Sequence, residues 1–258
     1  AFAGEANMGI PRKFGSRGVA VIPFDFLPYE EEECDKQMFW ARGKMILKGA
    51  RLVKKHPQLF AAFISNFSCG PDSFIITYFR DIMGIKPSVV LELDDHTADA
   101  GLDTRVDAFL DVVRRFRELE KEKKVIEKAD SFQPAVVAAN GKDGFTVHAG
   151  GREYPLQHPD VRLLFPCMGD LGTQAVAAVM NCLGIKALAL PEPDHSVLKI
   201  GRANTNCKEC LPLQLTTGSL LRFLKEERKP GEVVVYFMPT SSGPCRFGQY
   251  SVFLSNLI

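Results

Sequence analysis

Apolar and polar positions along the chain form two alternating kinds of stretch. Short runs of apolar and β-branched residues predict buried strands, and longer stretches with apolar residues every three or four positions predict amphipathic helices. The predicted strands are residues 18–26, 59–67, 88–93, 161–165, 186–190 and 233–237. The predicted helices run from about 30 to 55, 74–83, 104–128 (capped by Asp103), 171–183, 212–227 and from 244 to 258.

One stretch between these alternations has a different character. Residues 135–156 contain Asn140-Gly141 and Gly150-Gly151, dipeptides that are typical of tight hairpin turns, and predict a small antiparallel meander. Strands that alternate with helices on either side indicate parallel sheets. We therefore predict an α/β fold of two flavodoxin- or Rossmann-like three-layer halves, residues 1–130 and 159–258, joined by the meander at 131–158.

Composition narrows the class of protein. The chain has 258 residues, of which 46% are apolar and 24% charged, as in soluble globular proteins. A net charge of +1 argues against a nucleic-acid partner, and no apolar run approaches the roughly 20 residues that cross a bilayer. Without a secretion signal we expect a cytoplasmic protein with reduced thiols. Because the chain begins without Met and ends within an amphipathic pattern, we expect a fragment of a longer polypeptide.

Three of the seven cysteines share one sequence context. Cys69, Cys210 and Cys245 each lie within two residues of a proline, where a predicted helix begins. Free N–H groups and the positive end of the helix dipole stabilise a thiolate at such a position. Loops at the carboxyl edge of a parallel sheet can converge, and three thiolates can hold a metal or cluster with one coordination position open. These cysteines are therefore the candidate ligands.

The other cysteines leave alternatives open. Free cysteines are usually small buried packing residues, and we expect this for Cys182, on the apolar face of its helix. Cys34 lies in an acidic helix start and is interpreted as incidental. Cys167 also lies between a strand and a helix, so packing is the default interpretation and ligation the alternative. Cys207 forms C-x-x-C with Cys210, which leaves a zinc site or a redox dithiol open, although a single such pair is a weak signal.

Two further residues are candidates for chemistry. His96 follows Asp94-Asp95 just past a predicted strand, so it could act as an acid, a base or a ligand; turn formation explains the neighbouring Asp and Thr residues equally well. Arg246 adjoins Cys245 and could pair with the charge of a cluster or a substrate anion, with a surface salt bridge as the alternative.

Four motifs together resemble a known family. They are N-F-S-C-G-P-D-S-F at 66–74, E-L-D-D-H-T-A-D-A-G-L-D-T-R at 92–105, N-C-K-E-C-L-P at 206–212 and G-P-C-R-F-G-Q-Y at 243–250. They resemble the 2-hydroxyacyl-CoA dehydratase superfamily, and more closely its branch that is fused to or encoded with a CoA-enzyme activase. The resemblance runs through most of the chain.

The resemblance implies flavodoxin-like domains and an iron–sulfur cluster, either [4Fe–4S] or double-cubane, held by cysteines near the domain interface. Cys69, Cys210 and Cys245 match the family's ligand positions by motif, whereas Cys207 matches none. The resemblance also implies an activase that hydrolyses ATP and supplies low-potential electrons. The activase's own phosphate-binding motifs are absent from this chain, so we ascribe no ATPase activity to it.

The expected function is the cluster-carrying part of an ATP-driven low-potential reductase, or of an (R)-2-hydroxyacyl-CoA dehydratase-like lyase, in an anaerobic cytoplasm. Its expected partners are the activase, an acyl-CoA substrate and a second subunit in a dimer. A double-cubane reductase of small molecules is one alternative. Another is a non-catalytic interaction or scaffold module, in which the cysteines would be buried, separated and inert.

Overall fold

The computed structural model describes residues 7–34, 38–94, 96–121, 135–139, 144–206, 208–243 and 245–258. These residues form a mixed α/β protein that contains parallel sheets. The chain divides into two compact units, Ala1–Glu127 and Lys128–Ile258. None of the helices in the described ranges is both long and apolar enough to cross a membrane.

The first unit contains a two-stranded parallel sheet and four α-helices among its described residues. Asn66 at the end of strand β1 (Ala61–Asn66) lies opposite Leu93 at the end of strand β2 (Ser88–Leu93), so both strands end at the same edge of the sheet. The elements in chain order are α1 Ile10–Gly15, a 3₁₀ helix Phe24–Phe26, α2 Ala41–Lys55, β1 Ala61–Asn66, α3 Asp72–Met83, β2 Ser88–Leu93 and α4 Asp99–Lys121.

Apolar packing and ion pairs join α1 to α4. Ile10 and Phe14 of α1 are buried in one cluster with residues of β2 and α4. Lys13 pairs with Asp103 at 2.8 Å, and Arg17 donates to the same carboxylate at 3.0 Å. The prediction that Asp103 caps the long helix is therefore wrong, because α4 begins four residues earlier and Asp103 binds α1.

Two other predictions for this unit are wrong. No strand forms at 18–26: Val21 and Ile22 are exposed, no described strand pairs with them, and the run leads into the 3₁₀ helix. A β-branched run has strand composition, but a strand forms only with a partner. The helix predicted from residue 30 begins only at Ala41. The residues through which this helix packs against the core lie between Gly43 and Val53, so no buried position requires an earlier start.

The second unit combines an antiparallel meander with a three-stranded parallel sheet. In this sheet β6 (Val161–Phe165) lies between β7 (Ala187–Ala189) and β8 (Val233–Tyr236). The meander is present as predicted, and its Gly150-Gly151 turn has two left-handed glycines, with φ of 56° and 73°. Asn140-Gly141 lies outside the described residues. The elements are β3 Val136–Ala139, β4 Phe145–Ala149, β5 Arg152–Pro155, β6 Val161–Phe165, α5 Asp170–Cys182, β7 Ala187–Ala189, α6 His195–Ala203, α7 Leu211–Glu226, β8 Val233–Tyr236, a 3₁₀ helix Arg246–Gln249 and α8 Tyr250–Leu257.

The meander and the parallel sheet share one core. Val147 of β4 and Leu156 are buried in the same cluster as Val161, Leu163 and Phe165 of β6. The opposite face of β6 packs through Leu164 against a second cluster from α7 and α8. The meander is therefore a layer of the second unit, and its strands cover one face of the sheet.

Helices α6 and α7 cross with their backbones in contact. A Cβ added to Gly201 of α6 would overlap the carbonyl group of Gln214, with only 2.7 Å to its carbonyl carbon. A Cβ added to Gly218 of α7 would overlap the carbonyl oxygen of Val197 and lie 2.9 Å from its Cγ1. Glycine is therefore required at both positions, and the crossing fixes the start of α7.

Candidate functional site

Cys210 contacts the side chain of Tyr250, which lies five residues after Cys245 in the same segment. The sulfur of Cys210 is 2.6 Å from the Tyr250 hydroxyl oxygen, a hydrogen-bond distance. Burial raises the pKa of Tyr250, and the hydrogen bond to Cys210 and electrostatic interactions with Cys210 and Cys245 raise it further. The phenol is thus protonated at neutral pH and can donate its proton to the Cys210 sulfur.

The backbone explains why Cys210 is held at this place. Cys210 is the N-cap of α7, with an extended conformation, and its carbonyl accepts the N–H of Leu213 at 3.0 Å. Pro212 occupies one of the first helical positions, where a missing N–H costs nothing. Gln214, at the contact with Gly201, lies only one turn later. The prediction that Cys210 precedes a helix is confirmed.

The opposite side of the site comes from the segment after β8. Cys245 is exposed and is the N-cap of the 3₁₀ helix that continues into α8 at Tyr250. The ring of Phe247 packs edge-on against that of Tyr250, with 5.2 Å between centroids. Arg246 donates to the carbonyl oxygen of Lys208 at 3.4 Å, which ties this segment to the loop before Cys210.

Cys69 lies in the first unit, in a strained turn between β1 and α3. The two residues before it, Phe67 and Ser68, are left-handed, with φ of 60° and 52°, although neither is glycine. The hydroxyl of Ser68 is buried and has no hydrogen-bond partner among the described residues. Cys69 itself is exposed. Strain of this kind is concentrated at functional sites and persists only where the surroundings enforce it.

Hydrogen bonds enforce the conformation of this turn. Ser65 donates its hydroxyl proton to Asp72 at 2.7 Å and accepts the N–H of Ser68 at 3.1 Å. The N–H of Asp72 in turn donates to the carbonyl oxygen of Cys69 at 3.2 Å. The end of β1 and the start of α3 are thereby joined around the cysteine.

His96 lies at the same edge of the first sheet, in the turn that follows β2. Its backbone N–H donates to Asp94 at 2.9 Å, and its side chain is exposed. The hydroxyl of Thr97 donates to Asp94 at 2.7 Å, and this hydrogen bond lowers the pKa of Asp94. Turn formation accounts for Asp94 and Thr97, and Asp95 lies outside the described residues.

The remaining cysteines have different surroundings. Cys167 is half-buried in the loop after β6, and Cys34 is also half-buried. Cys207 lies outside the described residues. The prediction that Cys182 is buried is wrong, because it is exposed. It follows the buried Ala177 by five residues, which is about 140° around the helix.

The three cysteines are the kind of donor that a thiolate-bound cluster requires, and two of them, Cys210 and Cys245, belong to the second unit. Cys210 and Cys245 act on the same phenol, whereas Cys69 belongs to the other unit. Among the described residues, no group of three or more His, Cys, Asp or Glu side chains is arranged to hold a metal ion.

Tyr250 is the residue of this site that sequence reasoning did not identify. It is 4% exposed and contacts a cysteine 40 positions earlier, so only the tertiary structure reveals the pair. Its place within the motif at 243–250 was the available signal.

Comparison of the chain with protein-family models, with curated proteins and with solved structures found no match.

Proposed function

We propose that this chain is the cluster-carrying part of an ATP-driven low-potential reductase or of a 2-hydroxyacyl-CoA dehydratase-like enzyme. Cys210, Cys245 and Cys69 would hold the iron–sulfur cluster. Once bound, the cluster would supply one-electron reduction at low potential. The observation that carries the proposal is the contact of Cys210 with Tyr250, which begins the helix that follows Cys245.

The chain's own residues have defined tasks in this proposal. Cys210 is the N-cap of α7, at the positive end of the helix dipole, which would interact favourably with an anionic cluster. The Tyr250 hydroxyl would donate a hydrogen bond to the same sulfur once that sulfur is a ligand, and would orient it. Arg246 brings a positive charge beside Cys245, where it would offset the negative charge of thiolate ligands.

The remaining parts of the proposal follow from the family resemblance. Each unit would be a flavodoxin-like half, and the protein would work in a reducing cytoplasm, where thiols persist. A separate activase would bind and hydrolyse ATP and deliver the electrons. His96, at the edge of the first sheet, is the candidate acid or base, and an acyl-CoA is the candidate substrate.

Anaerobic reconstitution of the purified chain with iron and sulfide tests the proposal. We expect the wild type to bind both and to give an EPR signal after reduction. The Cys210→Ala, Cys245→Ala double variant should lose most of the bound iron, because two ligands are removed. Cys182→Ala is the matched control, since this thiol is also exposed in the second unit but lies on α5.

Two results would overturn the proposal. The first is wild-type iron content and EPR in the double variant. The second is zinc without iron after strictly anaerobic purification, which would favour the site containing Cys207. Cys69→Ala, measured in parallel, determines whether the first unit contributes a ligand.

A further inference from the structure

The outer edge of β8 has no partner strand in the described part of the chain. β8 ends the sheet order β7-β6-β8 and pairs only with β6. The N–H of Val233 points at β6 and donates to Asp160 at 2.8 Å. Because successive residues of a strand direct their backbone groups to opposite sides, Val234 and Tyr236 present their N–H and C=O groups to the open edge.

The side chains of β8 are nevertheless packed on both faces. Val233 and Val235 contact the cluster formed by the meander, β6 and α5. Val234 and Tyr236 contact the cluster that includes residues of α7 and α8. Apolar packing on both faces is typical of the interior strands of parallel sheets. β8 is therefore packed on both faces, as an interior strand is, but its four residues remain half-buried at the edge of the sheet.

A cleft of about 690 Å³ runs along this edge, entirely within the second unit. Unpaired backbone N–H and C=O groups in a mainly apolar cleft raise the free energy. An extended peptide supplies acceptors and donors at the spacing of a strand and so satisfies them. The walls are formed by Val137, Ala149 and Tyr154 of the meander and by Leu254, Ser255 and Ile258 at the end of the chain.

The charges at one end of the cleft select the chemistry of that peptide. Arg152 and Arg228 line the cleft near the start of β8. Arg228 is held there because its Nε donates to the carbonyl oxygen of Glu232 at 3.2 Å. The carboxylate of Glu232 pairs with Arg162 at 2.6 Å. This end of the cleft therefore favours an acidic group.

We propose that the free edge of β8 is a docking site for an extended peptide segment that adds as a fourth, parallel strand. Both existing strand pairs of the sheet are parallel, so a strand of the same direction begins beside Arg228. The partner is accordingly apolar at successive positions, for both faces of the cleft, and acidic at its amino end.

The peptide acetyl-Glu-Val-Val-Val-Tyr-Phe-amide, the sequence of residues 232–237, has this pattern and serves as the probe. It is added to the full 258-residue chain, and amide exchange and chemical shifts are followed by NMR. Before addition we expect the amides of Val234 and Tyr236 to exchange faster than that of Val235. Added peptide should slow these two amides and shift their signals.

Variants distinguish strand pairing from unspecific adsorption. Val234→Pro removes an outward N–H while the ladder to β6 remains, and we expect binding to weaken about tenfold, equivalent to about 1.4 kcal/mol. Ser255→Trp leaves β8 intact and fills the mouth of the cleft, so it should abolish binding even if the proline variant is unstable. Val179→Trp, at an exposed position of α5, is the matched control.

Any of three outcomes would overturn the proposal. One is that the amides of Val234 and Tyr236 are already as protected as that of Val235 in the free chain. Another is that millimolar peptide changes no signal, or binds both cleft variants as tightly as the wild type. The third is tighter binding of the reversed sequence, which would show that the added strand is antiparallel.

Discussion

Two helix pairs, one in each unit, pack by different means. In the first unit lysines join the ends of α2 and α3. Lys54 donates to the carbonyl of Met83 at the end of α3. Lys86, in the loop that follows α3, donates to the last carbonyls of α2, including that of Val53 at 2.7 Å. In the second unit α6 and α7 are joined through Gly201 and Gly218, whose backbones touch the partner helix.

The difference determines how much each pair can adjust. A Cβ added to Gly43 of α2 would lie 3.0 Å from Ile75 Cδ1 and 3.2 Å from the Met38 sulfur, both near the ends of flexible side chains. The neighbours of Gly201 are backbone atoms that cannot turn aside. The loop with Cys210 therefore rests on a rigid crossing, whereas Cys69 precedes α3, whose packing against α2 can adjust.

The same substitution in the two pairs gives the largest contrast. Gly201→Ala and Gly218→Ala should each lower the free energy of unfolding by at least about 3 kcal/mol, because the added methyl overlaps backbone. Gly43→Ala, the matched change, should stay within about 1 kcal/mol, since side chains move aside and alanine favours the helix. Urea unfolding measures both, and an equal loss would contradict the comparison.

Lys86→Met should give the second largest effect. The ammonium group also donates to the carbonyl of His56 and lies 5.3 Å from the ring centroid of Phe60. Its loss should cost about 2 kcal/mol, as for hydrogen bonds from a charged group. Lys225→Met, at an exposed position of α7, is the control and should change little. Comparable losses in both would show that the lysine caps do not hold α2 to α3.

The pH dependence of stability provides a second measurement on the same variant. Burial lowers the pKa of Lys86 below its ordinary value of 10.5. Between this lowered pKa and pH 10.5, the unfolded chain therefore binds more protons than the folded chain does. The contribution of Lys86 to the free energy of unfolding therefore rises as the pH increases through this window. The difference between wild type and Lys86→Met should widen as the pH is raised towards 10.5, and a constant difference would contradict it.

Phe67→Gly tests the strain before α3 and should have a smaller effect of opposite sign. Phe67 is left-handed and 52% exposed, so glycine removes strain while little packing is lost. We expect a gain of about 0.5 kcal/mol, the balance of a left-handed penalty and the entropy of glycine. Phe26→Gly, at another exposed phenylalanine, should give no gain. A loss of stability at position 67 would mean that its ring contacts outweigh the strain.

Asp194→Ala tests the polar contact between α6 and α7 and should have a smaller effect than the glycine and lysine substitutions. Asp194 caps α6, and its hydrogen bonds to Ser196 and to the Val197 N–H, together with Arg222, lower its pKa to about 2. Its stabilising effect is present above the unfolded pKa of 3.8 and is lost as pH falls towards 2. Thermal unfolding at neutral and acidic pH measures this, with Glu192→Ala as control. If Asp194→Ala lowered stability as much as Gly201→Ala, the glycine crossing would not be the main contact between α6 and α7.

Local signals made part of this fold predictable. The strand Ser88–Leu93 matches its prediction residue for residue, because an apolar run is bounded by Pro87 and Asp94. Gly84 ends α3 with φ of 55°, as expected for a glycine after a helix. The strand expected at 18–26 failed because pairing depends on a partner strand, which the run itself does not specify.

The candidate site was predictable only where it depends on its immediate neighbours in sequence. Pro212 indicated that Cys210 begins a helix, and the structure agrees. The contact of Cys210 with Tyr250 joins two helix starts through tertiary packing, so no local pattern encodes it. Helix α6 was missed because its apolar pattern is short, although Asp194 is a standard N-cap.

The shared core of the meander and the second parallel sheet determines where the polypeptide can be shortened. A protein that begins at residue 159 would lack Val147 and Leu156, both buried against β6. Its sheet would then present Val161, Leu163 and Phe165 to water, and aggregation of the truncated protein is the expected result. Any autonomous version of the cysteine-bearing second unit must therefore begin upstream of β3.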